Sequence, residues 1–298
     1  MSISAGQPGA VQTRHLSVQA LLAAHPEESD AKVLIRRLAR EKVAYAKCQG
    51  WTGPAFCPKI LCGIFGIRCR EVMHDIGSEG RILPLQDRTL LIEFRSDRIP
   101  ERKRFTIFHE FAHTLFPDFY EFLPHHYGQS KAPKDPERGF ENLCDIAASE
   151  MLLPLENVQE DLVQCKTLCF EEFAKLSRRY VASIDATAMR LTELVDGLPC
   201  STVFLTDQKG NNSGRGPLWV KYFCRNSLFK AFIPIGASPP PGSVAYDCYG
   251  GTQNISALVR ETWCLNGSAR SWSVQAIKLP EFPESPDYAK VAVLLLPS

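Results

Sequence analysis

Residues 109–113 read His109-Glu110-Phe111-Ala112-His113, three ionisable side chains set in a stretch otherwise built from Phe105, Phe108, Phe111, Ala112 and Leu115. Pro100 before the stretch and Pro117 after it bound a helix from Glu101 to about Phe116, because proline suits the first turn of a helix and stops one further on. Residues four apart on a helix sit about 40° from each other and one turn along the axis, so both imidazoles face the same way. Burying them with a carboxylate among phenylalanines is costly unless the three share a partner. A divalent cation is such a partner. His109 and His113 can both ligate Zn²⁺, and Glu110 beside them can hold the water that the metal polarises. Two satisfied core histidines with a surface glutamate would fit the same five letters, but the apolar surroundings favour the metal.

A catalytic zinc takes a third protein ligand and keeps a fourth position for water. A second apolar helix, expected over about Glu137 to Leu153 and ended by Pro154, offers one. Glu141 is an isolated acid there, ahead of Leu143, Cys144, Ala147, Ala148, Met151 and Leu152. Asp145, four residues on, shares its face and suits a carboxylate that receives an imidazole N–H and fixes the ring's tautomer. Glu137 lies at the exposed start of the helix, and Glu150 is about 180° round the axis from Glu141. Between the two helices runs a Pro-, His- and Lys-rich loop from Asp118 to about Pro136. A tetrahedral oxyanion needs a donor besides the metal; His125, His126 and Tyr127 in this loop are the candidates, and a plain polar surface loop is the alternative.

These motifs sit in a chain of 298 residues, long enough for two domains. Its 34 Lys+Arg against 33 Asp+Glu leave a net charge of +1, which speaks against nucleic-acid binding by bulk electrostatics. No apolar run approaches the roughly 18–20 residues of a membrane span. The apolar stretch Ala20–Ala24, preceded by Arg14 and His15 and followed by Pro26, does not make a secretory leader. Eleven cysteines, an odd number, argue against a disulfide framework and for a reducing, cytoplasmic setting. Cys48, Cys57, Cys62 and Cys69 form a loose cluster without a C-x₂-C pair, and they read as dispersed core thiols rather than a structural zinc site.

The expected architecture is α+β. Residues 1–28 form a flexible N-terminus. Residues 29–160 form a mostly helical core with a small β-sheet, residues 161–198 a helix-turn-helix-like segment, and residues 199–298 a β-rich C-terminal domain. The core opens on an amphipathic helix, Asp30 to Lys47, whose six Lys/Arg against two acids read as a solvated face. Arg81–Arg95 predicts a hairpin. Helices are expected at Phe170–Arg179 and Ser183–Leu194; the second carries a net charge of −1, which suits packing or substrate docking better than DNA reading. Beyond Pro199, strands are expected at Val203–Leu205, Leu218–Phe223, Ala231–Ile235, Val244–Tyr246, Trp272–Ile277 and Val291–Leu296, with one helix around Ser256–Trp263. Gly210–Gly216 is a polar loop without a phosphate-cradle pattern, and the C-terminal aromatic residues read as β-domain core.

The run Arg104-Phe105-Thr106-Ile107-Phe108-His109-Glu110-Phe111-Ala112-His113, followed by Glu141-Asn142-Leu143-Cys144-Asp145-Ile146-Ala147-Ala148-Ser149-Glu150-Met151-Leu152-Leu153-Pro154, resembles the ImmA/IrrE family of zinc metallopeptidases. That family carries an RFT-x₂-HE-x₂-H helix and then E-x₂-A-[ND]-x-FA-x₂-LL-x-P. Cys144 stands where the family usually has Ala, Ala147 replaces Phe and Met151 replaces the first Leu; all three are apolar changes that leave the ligand positions intact. The resemblance covers roughly residues 30–195. It implies a gluzincin-like core with His109, His113 and Glu141 as zinc ligands and Glu110 as catalytic base. It also implies a protein substrate, typically a helix-turn-helix transcriptional repressor whose cleavage releases stress or mobile-element genes. Some members append a ligand-sensing, GAF-like domain where residues 199–298 lie.

The leading expectation is therefore a zinc-dependent endopeptidase with a β-rich regulatory domain, in which Mn²⁺ could replace Zn²⁺ because imidazole and carboxylate ligands admit both. The other reading is a metal-stabilised sensor or interaction protein without catalysis. Glu110 separates them, since a purely structural site has no use for a general base between its histidines.

Overall fold

The first strands and helices assemble around the motif helix. A computed structural model describes residues 15–122, 135–207, 218–251, 253–265, 268–280 and 289–298 of the chain. The fold is mixed α+β and divides into two units: Met1–Glu156 with Arg179–Ala182, and Asn157–Arg178 with Ser183–Ser298. The chain passes from one unit to the other three times, after Glu156, Arg178 and Ala182. Apart from Arg179–Ala182, the segment 161–198 groups with the strands that follow it.

In the first unit, α1 (Leu16–Ala24) lies within the stretch expected to be flexible. The His15 ring accepts from Ser17 N at its start, and Val18 and Leu21 are buried. Two apolar anchors one turn apart were too short a pattern to read as a helix. Helix α2 (Ala31–Cys48) is capped by Asp30, which accepts from Lys32 N, and buries Leu34, Ile35, Ala39, Val43 and Ala46. Its polar side is not wholly a solvated face, because Arg36 and Arg40 reach the fully buried Glu150 at 2.9 and 3.0 Å. After α3 (Pro58–Ile64) come β1 (Ile67–Val72), β2 (Gly80–Pro84) and β3 (Leu90–Arg95), in sheet order β1-β3-β2. The expected hairpin is there: β2 pairs antiparallel with β3, while β1 runs parallel to it. Glu93 in the central strand is buried and clamped across the sheet by Arg70 of β1 and Arg81 of β2.

Helix α4 (Pro100–Ala112), carrying the motif, begins at Pro100 and tightens into a 3-10 turn at His113–Leu115. It packs on α5 (Asp135–Leu152), β2 and β3, and buries Ile107, Phe108, Phe111 and Ala112. Ile107, Phe108 and Phe111 contribute about 1.5–3 kcal/mol each. Arg104 anchors the helix, donating to the carbonyls of Phe56 at 2.6 Å and Val181 at 3.1 Å.

The second unit begins within α6 (Leu155–Gln164), takes in α7 (Phe170–Tyr180) as far as Arg178, and resumes with α8 (Ile184–Leu194). Its five-stranded antiparallel sheet has the order β5-β4-β8-β7-β6. The strands are β4 (Ser201–Thr206), β5 (Trp219–Arg225), β6 (Val259–Leu265), β7 (Ser268–Lys278) and β8 (Val291–Pro297). Val203, Val220, Trp263, Val274, Val291 and Leu295 lie in one apolar cluster, with Trp272 stacked on Phe229 at 4.9 Å. Neutral polar side chains brace it: the Asn226 amide donates to Val195 O and Leu198 O and accepts from Cys200 N and Phe229 N.

Three expectations for this unit fail. Val244–Tyr246 is not a strand but the start of α9 (Val244–Tyr249), because the Ser243 hydroxyl caps Ala245 N and Glu261 accepts from Val244 N. Residues 256–263 are not a helix; β6 occupies most of them, with Trp263 and Leu265 buried and Arg260, Thr262 and Cys264 exposed, a period of two hidden by polar residues. Residues 231–235 alternate in burial but join no ladder, consistent with Pro234 lacking an N–H. Among the described residues, no helix is long and apolar enough to cross a membrane.

Candidate metal centre

The one-turn spacing on α4 sets the rings of His109 and His113 with their centroids 5.1 Å apart and nearly perpendicular. Among the described residues, His109, Glu110 and His113 form the group whose donor atoms all lie within 4.8 Å of one another. Helix α5 supplies the rest. His109 Nε2 lies 2.9 Å from Glu141 Oε2, and its Nδ1 lies 2.8 Å from Asp145 Oδ1. The two acids one turn apart on α5 thus grip opposite edges of one imidazole.

Electrostatics follow from this crowding. Burial presses the His109 imidazole toward its neutral form, but the hydrogen bonds to Asp145 and Glu141 outweigh it and raise its pKa well above the ordinary value. Burial pushes the Glu110 carboxyl up to about 7, Glu141 pushes the same way, and His109 opposes both. A carboxyl poised there is a competent general base near neutrality.

The donor set fits a divalent cation. Two ligand atoms of one tetrahedral Zn²⁺, each at about 2.0–2.1 Å, stand roughly 3.3 Å apart; the 2.9 Å between His109 Nε2 and Glu141 Oε2 is close to that spacing. Asp145 on Nδ1 directs Nε2 toward the shared position, the usual arrangement behind a ligating histidine. Glu141 reaches the centre through His109, and Glu150 is committed to Arg36 and Arg40. His125, His126 and Tyr127 lie outside the described residues, as does the loop Gly210–Gly216.

Two residues at the centre were missed. Gly80, at the start of β2, lies against it: a Cβ there would collide with Thr106 Cγ2 and come within 3.2 Å of Glu110 Oε1. A glycine opening a strand is the signal for such a close approach. Cys144, read as an apolar packing residue, places Sγ 3.7 Å from His113 Nδ1. Burial pushes its thiol well above the ordinary range, and Glu141, Asp145 and Glu110 push the same way. All eleven cysteines are free.

No family model matches the chain, and no curated protein matches it. Among solved structures it is similar to a Mycobacterium tuberculosis transcriptional regulator, with 16% sequence identity and a TM-score of 0.58, over 94% of this chain and 79% of that one. At that identity the likeness is one of fold.

Proposed function

We propose that the chain is a zinc-dependent endopeptidase of the ImmA/IrrE type, with a zincin-like core and a GAF-like C-terminal domain, acting in the cytoplasm on a helix-turn-helix transcriptional repressor. The observation that carries the reading is Glu110, a half-buried carboxyl raised to about 7 and set between two histidines one turn apart. His109, His113 and Glu141 hold the ion, and Mn²⁺ suits the same ligands. A bound cation supplies Lewis acidity toward water and a peptide carbonyl. Glu110 accepts the proton of the attacking water at a carboxylate oxygen and returns it to the leaving amine. Asp145 holds His109 Nδ1–H throughout.

A protein substrate is supported by the position of β2 at the end of the β1-β3-β2 order, paired on one side with β3. An extended peptide can add to such an edge through its backbone, and Gly80 there abuts Glu110. The likeness in fold to a transcriptional regulator is in keeping with a role in gene control.

The test is cleavage of a purified helix-turn-helix repressor, taken first from any encoded by a neighbouring gene, with and without chelator. Glu110→Gln is expected to keep stoichiometric zinc and lose cleavage by about three orders of magnitude, the middle of the 10²–10⁴-fold typical of a general base. His109→Ala/His113→Ala should lose both. Stoichiometric zinc surviving the double substitution overturns the site, and full cleavage by Glu110→Gln overturns the mechanism.

A further inference from the structure

The two histidines of the motif are held differently. His109 has a carboxylate on each ring nitrogen. His113 has a sulfur: Cys144 Sγ lies 3.7 Å from Nδ1, and the Phe140 ring packs against the imidazole with centroids 5.3 Å apart. Cys144 is fully buried and lies three residues after Glu141, so one turn of α5 presents a carboxylate to His109 and a thiol to His113. Nδ1 and Nε2 occupy separate edges of the imidazole, so a partner on Nδ1 fixes both the tautomer and the direction in which Nε2 points.

We propose that Cys144 is a positioning residue for the metal centre, accepting the Nδ1–H of His113 at its sulfur and thereby aiming Nε2 at the cation. The inference rests on the metal-centre reading and extends it to a residue that reads in the sequence as core filler. It assigns the sulfur to the histidine, not to the metal. A second carboxylate in place of the thiol would add charge to a pocket that already holds Glu110, Glu141 and Asp145.

The test compares the full-length protein with Cys144→Ala and Cys144→Ser. Zinc affinity is read by competition with a chromophoric chelator, geometry by the visible spectrum of the Co²⁺-loaded protein, and folding by the thermal midpoint of the chelator-treated protein. Loss of such a partner typically weakens metal binding 10–100-fold; we expect about tenfold for Cys144→Ala, with altered cobalt d–d bands, and recovery of most of that loss in Cys144→Ser, whose hydroxyl can also accept. A side chain that only fills space would move the thermal midpoint and leave affinity and spectrum alone. That result overturns the proposal. So does an intense sulfur-to-cobalt charge-transfer band in the unsubstituted protein, which would make Cys144 a ligand. If the unsubstituted protein takes up neither zinc nor cobalt, the metal-centre reading falls and this inference falls with it.

Discussion

The two β-sheets solve the burial of polar groups in opposite ways. In the three-stranded sheet, the central strand buries the Glu93 carboxylate and spans it with arginines from both neighbours. Beside that sheet, α2 and α5 are joined through Glu150 and two more arginines. In the five-stranded sheet the work falls to neutral amides and hydroxyls: Asn226 staples four backbone groups, and Gln275 accepts from Phe170 N and donates to Glu171 and Ser256 O. A buried ion pair loses much of its attraction to desolvation but is expensive to break, whereas a neutral hydrogen bond contributes modestly. The contrast belongs to the two sheets and not to the two units as wholes, since Asp161 and Arg190 are also buried in the second unit.

Substitutions can break this contrast. The largest effect is expected from Glu150→Ala, which takes the buried carboxylate from Arg36 and Arg40; because both arginines left behind are partly exposed, it should cost about 3 kcal/mol in urea unfolding, the upper end for hydrogen bonds to a charged group. A loss under 1 kcal/mol would show that the pair is effectively solvated. Asn226→Ala should cost about 1–3 kcal/mol, because several buried backbone groups lose a partner together. Its penalty should not change with salt, and a salt-dependent loss would contradict the neutral character of that brace.

The smallest effect sharpens the comparison through pH. Burial presses the Glu93 carboxyl upward, but the hydrogen bonds and charges of Arg70 and Arg81 prevail and hold its pKa below the ordinary 4.5. A depressed folded-state pKa contributes stability that is fully present above the unfolded value and is lost as pH falls through the folded one. Glu93→Gln should flatten the fall in urea midpoint below pH 4.5 while leaving a shallow slope above it. An unchanged acid limb would mean that Glu93 carries none of the dependence.

The motif helix was the most legible part of the chain. Its two prolines and its apolar spacing bound α4, and the four-residue interval between the histidines sets their rings 5.1 Å apart. The same interval between Glu141 and Asp145 placed both acids on His109. Helical spacing predicts which residues share a face, so it works wherever a site is built on helices. It says nothing of what crosses from a neighbouring strand, so the approach of Gly80 to Glu110 was hidden. Nor does an apolar position reveal that its sulfur meets an imidazole, as at Cys144. Short runs failed for a different reason: three apolar residues at Val244–Tyr246 suit a strand or a helix equally, and a serine cap with a glutamate from another strand decided the matter.

The three crossings of the chain between units carry a consequence for how this protein can be taken apart or recombined. No single scission yields both halves whole, because a cut after Glu156 takes Arg179–Ala182 from the first unit and a cut after Ala182 takes Asn157–Arg178 from the second. Of two gene fragments split at any one codon, at least one would lack a piece of its own body, so the two units form an interleaved pair rather than two cassettes.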